Sequence, residues 1–427
     1  MMMDTVIVLF NRDLRTHDHP ALAAACENAR QVVPLFVLDP ALPTGHRSAF
    51  LSECLADLRQ SLRERGGELV IRRGDPVEET VRLAGRISAQ AVYASLDVST
   101  LAQRRQRRLA EACERSRMEF RGFPGVTIVA PDALRPSGGG DHYRVFTPYW
   151  RAWSAHPRRE TLKAPEAVHV PDGLEEGLLP EPDHEPSPLF RGGETAARER
   201  MGQWLKHCVE DYADGHDDLA GDRTSRLSPY LHFGCLSPLE LESTAVNGDA
   251  FVRQLCWRDF FHQVTAAFPG INRDDYRSRG QEWRTDSGAA QAWKEGMTGV
   301  PIVDAGMRQL LTENWMHNRA RMIVASFLVR RLRLDWRVGA DHFFEMLLDG
   351  DIANNYGNWQ WMAGTGNNTR PNQTVNHIRQ ARRFDPDGEY VRRYVPELGS
   401  VPKRAVHEPW RLPAGVPGYP QPLVSMD

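Results

Sequence analysis

VIVLFNRDLRTHDHPALAAACENARQVVPLFVL, residues 6–38, carries two apolar β-rich runs, VIVLF (6–10) and VVPLFVL (32–38), around a helical pattern near 20–29. Short apolar runs bounded by polar residues read as strands buried on both faces. LVIRR (69–73) and AVYASL (91–96) continue the series. Between them, segments near 48–65, 76–88 and 100–117 place apolar residues at helical spacing. Parallel strands need a crossover, usually a helix, so the alternation predicts a parallel, doubly wound α/β domain over residues 1–130. Such sheets take ligands beyond the carboxyl ends of their strands.

Beyond residue 130 the pattern changes. Residues 156–197 carry seven prolines and many carboxylates without periodicity. That composition predicts a connector, over 131–197, lying on the surface rather than building a core of its own. The remainder, 198–427, is helical in pattern with few β-branched runs, as in MRQLLTENWMHNRARMIVASFLVRRL (307–332), and predicts a larger all-α domain.

The chain has 427 residues, a formal net charge of −3, 41% hydrophobic and 26% charged residues. This is an ordinary soluble profile, long enough for two or three domains. No apolar run approaches the roughly 20 residues of a membrane span. The start, MMMDTVIVLFNRD, lacks a signal-peptide pattern, so a cytoplasmic protein without membrane partners is expected. Only four of the 53 basic residues are lysine. Near-neutral charge excludes a blanket polycation but leaves room for a local phosphate-binding groove. Six scattered cysteines, with no CxxC pair or Cys/His quartet, argue against a disulfide framework, a structural zinc or an iron–sulfur cluster. No metal is expected.

Four constellations carry chemistry. Seven of the eleven tryptophans fall within 257–361. Such a cluster permits base stacking, flavin packing or electron hopping, and equally serves as filler of a helical core. DGDIANNYGNWQW (349–361) mixes two carboxylates, three asparagines and two tryptophans. Asn and Asp are poor helix formers, so their concentration suits either a loop of side-chain turns or a surface addressing a polar heterocycle. DRTSRLSPYLHFG (222–234) sets Thr224, Ser225 and Ser228 around Arg226, a helix N-cap or an anion cradle. In WMHNRARM (315–322), Asn318, Arg321 and Met322 share a helical face, and Arg319 points elsewhere, within reach of a phosphate.

Together these segments resemble the DNA photolyase/cryptochrome family, most closely its cyclobutane-pyrimidine-dimer-repairing, class I type. The resemblance runs through FNRDLRTHDHPAL (10–22), VFTPYWRAW (145–153), TSRLSPYLHFGCLSP (224–238), RQLCWRDFF (253–261) and TGVPIVDAGMRQL (298–310). It continues in WMHNRARMIVASFL (315–328), DGDIANNYGNWQW (349–361) and RRFDPDGEYVRRYVPEL (382–398). It implies an antenna-type α/β domain followed by an all-α FAD-binding domain. Tyr212, Thr224, Ser225, Arg226, Leu227, Ser228 and Arg258 would hold FAD. Asp349, paired with Arg321, and Gly350 would lie beside the flavin, with Asp351 at its edge. Asn355 would meet the flavin nitrogen whose protonation distinguishes the redox forms.

In the same way, Trp359, Trp336 and Trp283 match the family's electron-hopping chain. Trp257 and Trp361 would stack on a flipped thymine dimer, Asn318 and Met322 would line its pocket, and Arg319 would meet a neighbouring phosphate. The activity implied is blue-light repair of UV-damaged DNA. Excited reduced FAD donates an electron to the dimer, the cyclobutane ring splits, and the electron returns. An antenna chromophore, 8-hydroxy-5-deazaflavin or methenyltetrahydrofolate, and a monomeric state are family expectations.

The chain departs from the family pattern at four places. Gln254 stands where dimer-repairing relatives usually have Glu, and can bond a thymine carbonyl without lending a proton. Tyr356 replaces a small or polar residue. In RPNQTVNHIRQ (370–380), His377 stands where Asn-Pro is common and a preceding arginine is missing. Asn11 replaces an arginine common in the first motif. A cryptochrome-like photoreceptor and a (6-4) photolyase are the alternatives.

Overall fold

The computed structural model describes residues 2–42, 44–221, 223–371, 375–403 and 405–426. The chain divides into two compact units, Met1–Val209 with Ser225–Pro269, and Glu210–Thr224 with Gly270–Asp427.

The first unit is built on five parallel strands: β1 (Met3–Phe10), β2 (Ala29–Leu38), β3 (Val70–Arg73), β4 (Ala91–Ser95) and β5 (Glu119–Phe123). Their order, β3-β2-β1-β4-β5, reverses direction at β1, with Val6 opposite Val32 on one side and Ala91 on the other. This is the doubly wound arrangement that the strand–helix alternation predicts. Helices α1 (Pro20–Asn28), α2 (Ser48–Arg63), α3 (Pro76–Arg86) and α4 (Thr100–Arg115) follow the first four strands. The central strand is buried without a break from Thr5 to Phe10, as expected of a parallel strand covered on both faces. The edge strand β5, EFRGF, was not among the expected strands. Its residues alternate between exposed and half-covered as far as Phe123, so no apolar run marks it.

α5 (Phe146–Ala155) and α6 (Glu194–His207) come next, with no helix or strand between them among the described residues. That connector is nevertheless tied down. Val168 N donates to Arg65 O (2.8 Å), while His169 O and Glu176 O accept from Val32 N and Ile71 N (2.7 Å each). Val168 and Phe190 are buried. Main-chain groups must find partners whether or not the chain is regular, and here the sheet supplies them.

The chain forms α7 (Tyr212–Gly215) in the second unit, then returns to the first for α8 (Ser228–Phe233), α9 (Pro238–Thr244) and α10 (Asp249–Ala267). Gly234 ends α8 at φ 70, where a Cβ would overlap Arg12 O, so only glycine fits. On α10, Asp259 is fully buried. One oxygen, Oδ2, accepts from Ile128 N and Val129 N (2.9 Å each) and from Trp153 Nε1 (3.0 Å).

Burial pushes the Asp259 carboxyl up to about 6, against the pull of Arg258. A carboxyl whose folded pKa is raised holds its proton longer in the folded state. Its contribution to stability therefore falls as pH rises from about 4 to about 6. Asp259→Asn, with its oxygen in the place of Oδ2, retains all three bonds. It is expected to be markedly milder than Asp259→Ala and to remove this pH-dependent step, read as the wild-type-minus-variant difference in urea unfolding free energy. An unchanged pH profile in the Asn variant would refute the assignment.

The second unit is helical, with α11 (Ser287–Lys294), α12 (Pro301–Glu313), α13 (Asn318–Ser326), a π-helical turn at Phe327–Arg331, α14 (Trp336–Met346), α15 (Ile352–Ala363), α16 (His377–Phe384) and α17 (Glu389–Tyr394). Side chains start three of the central helices. His317 Nδ1 accepts from Arg319 N (3.1 Å), Asp335 from Arg337 N (2.9 Å) and Asp351 from Asn354 N (2.7 Å). Buried Trp293, Trp336, Phe327 and Tyr390 fill the core. Of the six free cysteines, Cys54, Cys113, Cys235 and Cys256 are buried, and Cys26 and Cys208 are only half-buried.

Candidate active site

The Asn/Asp-rich stretch 349–361 leads into α15 and forms most of it, and several of its polar residues cap the helix or tie it to its neighbours. Asp349 is held by Arg321 of α13 through two bonds, Nη1 to Oδ1 (3.0 Å) and Nη2 to Oδ2 (2.8 Å), while Arg321 Nε donates to Met316 O (2.8 Å). The pairing expected of these two residues is therefore present. Gly350 N donates to Leu347 O (3.2 Å), and Asp351 Oδ1 caps α15, also accepting from Asn354 Nδ2 (2.9 Å). One turn on, Asn355 Nδ2 donates to Ala340 O (2.8 Å). With its amide nitrogen committed, Asn355 turns its oxygen the other way, as an acceptor.

Trp359, one turn after Asn355 on the same face of α15, is buried against Phe343 (ring centroids 5.1 Å) and Trp293 (5.9 Å). Gly339 makes room for it, because a Cβ there would overlap the indole. Trp336 is fully buried, donates Nε1 to Asp275 Oδ1 (2.9 Å), and carries the Arg337 guanidinium 4.5 Å over its ring. Tyr356 packs beside Trp336 (6.4 Å) and donates to Asp341 (2.8 Å). Trp283 is half-buried, and its neighbour Arg284 donates its N–H to Arg333 O (2.8 Å) in the segment leading into Trp336. The three indoles thus include two inside the unit and one reaching solvent.

A cavity of about 160 Å³ opens between α13, α15 and the segment before α16. It is smaller than the roughly 300–1,000 Å³ of drug-sized ligand sites. Arg319, Met322 and Trp361 line it together, whereas Asn318 is exposed at the start of α13 and is not among its lining residues. Contrary to the expectation that Arg319 points elsewhere, it lies beside Met322, its i+3 neighbour on α13, with Nη1 3.6 Å from Met322 Sδ. Asp217 holds the Arg319 guanidinium (2.7–2.9 Å), which lies 4.4 Å over the Phe384 ring. Sequence reasoning missed Arg330, Asn368, Arg370 and Gln380, which also line the cavity. Arg370 and Gln380 bound the unusual stretch 370–380, of which Asn372, Gln373 and Thr374 lie outside the described residues. His377 of that stretch is buried against Phe327 (5.4 Å), and burial holds its ring down to about 4, hence neutral.

The remaining candidates lie on α7, the 224–228 segment and α10. Burial pushes the Tyr212 hydroxyl up to about 12, aided by Asp217. Thr224 Oγ1 is buried and has no hydrogen-bond partner among the described residues. Asp222, which begins that motif, lies outside them. In the first unit, Ser225 Oγ accepts from Leu227 N (3.3 Å) and Ser225 O from Arg200 Nε (2.7 Å). Arg226 takes a positive φ of 52, and Leu227 and Ser228 open α8. A non-glycine residue held there marks a locally over-determined loop. On α10, Trp257 stacks on Phe146 at 3.6 Å and 3°, so one indole face is already covered. Gln254, one turn before it, is exposed. Arg258 donates to Val126 O (2.6 Å).

Residues 6–168 match the DNA photolyase domain, and residues 251–427 the FAD-binding domain of DNA photolyase. A deoxyribodipyrimidine photo-lyase of Streptomyces griseus is 50% identical over 99% of this chain and 97% of its own. The chain belongs to the DNA photolyase family. The family includes a cryptochrome DASH of Natronomonas pharaonis, 37% identical over all of this chain and 99% of that one. Its fold is also that of an archaeal photolyase from Sulfolobus tokodaii solved with two FAD molecules. The TM-score is 0.90 at 32% identity, covering 99% of this chain and 96% of that one. No helix of the described residues is long and apolar enough to cross a membrane.

Proposed function

We propose that this chain is a deoxyribodipyrimidine photo-lyase that repairs cyclobutane pyrimidine dimers in UV-damaged DNA under blue light, with FAD as cofactor. The observation carrying the reading is the wall formed by Trp361, Met322 and Arg319, an aromatic face, an apolar side chain and a cation around one small cavity. Base–aromatic stacking is worth about 1–3 kcal/mol per base, comparable with the few kcal/mol needed to extrude a base, and less for an already distorted dimer. Gln254, Trp257 and Asn318 complete the proposed set for substrate. Trp257 rests one indole face on Phe146.

The residues present fit FAD. The Thr224 hydroxyl is a buried donor awaiting an acceptor, and Tyr212, Ser225, Arg226, Leu227, Ser228 and Arg258 would join it in holding the cofactor. Arg321, Asp349, Gly350 and Asp351 would frame the ring system, and Asn355 would offer its oxygen to a protonated ring nitrogen. Bound there, reduced FAD supplies the photochemical electron. The protein's part is to hold the two linked bases of the lesion by stacking, to exclude water, and to keep neutral or paired the charged groups buried nearby. Trp359, Trp336 and Trp283 would carry an electron inward from the surface.

Division into an antenna-type domain (1–130), a connector (131–197) and a helical FAD- and DNA-binding domain (198–427) belongs to the same proposal. So do a monomeric state, a cytoplasmic location and a second chromophore, which the absorption spectrum of the purified protein would reveal.

Reduced, FAD-loaded protein under blue light should restore thymines from a thymine-dimer oligonucleotide, followed by chromatography of the digested product. No light-dependent reversal by protein with bound, reduced FAD would sink the reading. It would favour the photoreceptor alternative suggested by the cryptochrome DASH relatives. Trp361→Ala should weaken dimer-DNA binding about 10-fold in the dark, the loss of one stacking face. Undiminished affinity would remove Trp361 from the site.

A further inference from the structure

Among the described residues, folding leaves one buried polar atom of the Trp361 cavity without a partner. Asn368 is only 5% exposed, lines the cavity, and its Oδ1 has no hydrogen-bond partner among the described residues. Buried polar groups in folded proteins are nearly always paired, so an orphan on a cavity wall points to a partner that arrives from outside.

The segment carrying Asn368 is held firmly. Thr365 N and Gly366 N both donate to Gln360 O (3.0 Å each), Thr365 O accepts from Arg277 N (2.7 Å), and Arg330 Nη2 donates to Met362 O (3.1 Å) and to Pro371 O. The amide is therefore pre-positioned rather than free to search for a partner.

The other cations of the wall are committed, Arg319 to Asp217 and Arg330 to main-chain carbonyls. Arg370 alone among the three forms no hydrogen bond or ion pair among the described residues, and it is exposed at the rim. An aromatic face and a thioether provide stacking and apolar contact, a carboxamide provides an acceptor and donors side by side, and a free guanidinium stands at the mouth. A carboxamide complements an imide edge, an N–H flanked by carbonyls, which thymine presents and a phosphate does not.

We propose that Asn368 is a base-reading residue that hydrogen-bonds the imide edge of a pyrimidine base stacked on Trp361. Its Oδ1 accepts from the ring N3–H and its Nδ2 donates to an adjacent carbonyl, with Arg370 facing the anionic backbone. This inference rests on the DNA-repair reading and adds a reader inside the cavity to Gln254 and Asn318, which are exposed.

The test is dark binding, by fluorescence anisotropy, of the full-length FAD-loaded protein. The probes are three oligonucleotides, undamaged, with one thymine dimer, and with the same dimer methylated at both N3 positions. Wild type is expected to bind the plain dimer about 10-fold more tightly than the methylated one, the size of one lost bidentate base contact. Asn368→Ala should bind the plain dimer about 10-fold more weakly and should no longer distinguish the two dimers. Its flavin absorbance and melting temperature should match wild type, because Oδ1 supports nothing in the protein. Asn368→Ser serves if the alanine variant is unstable. Retained discrimination in the variant, or none in wild type, overturns the proposal. Failure of wild type to prefer dimer over undamaged DNA instead overturns the repair reading itself.

Discussion

Arg15→Met is expected to lose more than about 4 kcal/mol of unfolding free energy, a large part of the 5–15 kcal/mol typical of a folded domain. Arg15 is almost wholly buried and donates to carbonyls of three separate segments. Nε reaches His17 O (3.1 Å) and Asp18 O (3.3 Å), Nη1 reaches Gly234 O (3.0 Å), and Nη2 reaches Asp18 O (2.9 Å) and Gly125 O (3.1 Å). Each buried acceptor left without its donor costs about 1–3 kcal/mol. Burial depresses the guanidinium's pKa, while Asp13, Asp18 and Glu194 act to keep it charged. Methionine would fill much of the volume but leave the carbonyls of His17, Asp18, Gly125 and Gly234 without this donor. Urea unfolding should show the loss, and Arg15→Lys should recover only part of it, since an ammonium cannot fork to three segments. A loss below about 1 kcal/mol for Arg15→Met would mean that water replaces the guanidinium at little cost.

How much of this could be read from sequence depends on whether the interactions are local or distant. β1 and β2 were legible because strands buried on both faces are continuous apolar runs. β5 was not, because EFRGF is an edge strand with polar residues facing out. The connector reads as surface from its prolines, yet composition holds no trace of the main-chain bonds at Val168, His169 and Glu176. In the 349–361 stretch, side-chain turns and presentation are rival readings; the first is seen in the cap of α15, and the second belongs to the proposed function. Asp351 spends one oxygen capping α15, while Asn355 is bonded so as to present its own.

Distance along the chain hid the rest of the site. Arg319 looked like a free cation because its partner, Asp217, is 102 residues away. Phe146 covers one face of Trp257 from another helix. The cavity wall at Asn368 and Gln380 was invisible because only tertiary packing brings those residues to Trp361. The Arg321–Asp349 pair was expected from family resemblance, and no spacing rule would have found two residues 28 apart.

That pair leads to the other large expected effect, which is asymmetric. Arg321→Leu strips the cation from Asp349, whose side chain is 4% exposed. Removing one partner of a buried pair costs about 3–5 kcal/mol, and because Arg321 is partly exposed the lower end, about 3 kcal/mol, is expected. Asp349→Asn removes the charge but keeps the shape and an accepting oxygen, and Arg321 can turn to solvent, so about 1–2 kcal/mol is expected. The double variant Arg321→Leu/Asp349→Leu should be more stable than Arg321→Leu, since no charge is then left buried. Flavin retention should separate from stability. All three variants alter the approach to α15 through Asp349, Gly350 and Asp351, so each is expected to purify with less FAD than wild type, the double variant included. Flavin absorbance per protein, measured beside urea unfolding, reads both quantities. Full FAD occupancy in the double variant would show that the pair serves the fold alone. Equal destabilisation by Arg321→Leu and Asp349→Asn would show that Asp349 finds another cation or a proton when Arg321 is gone.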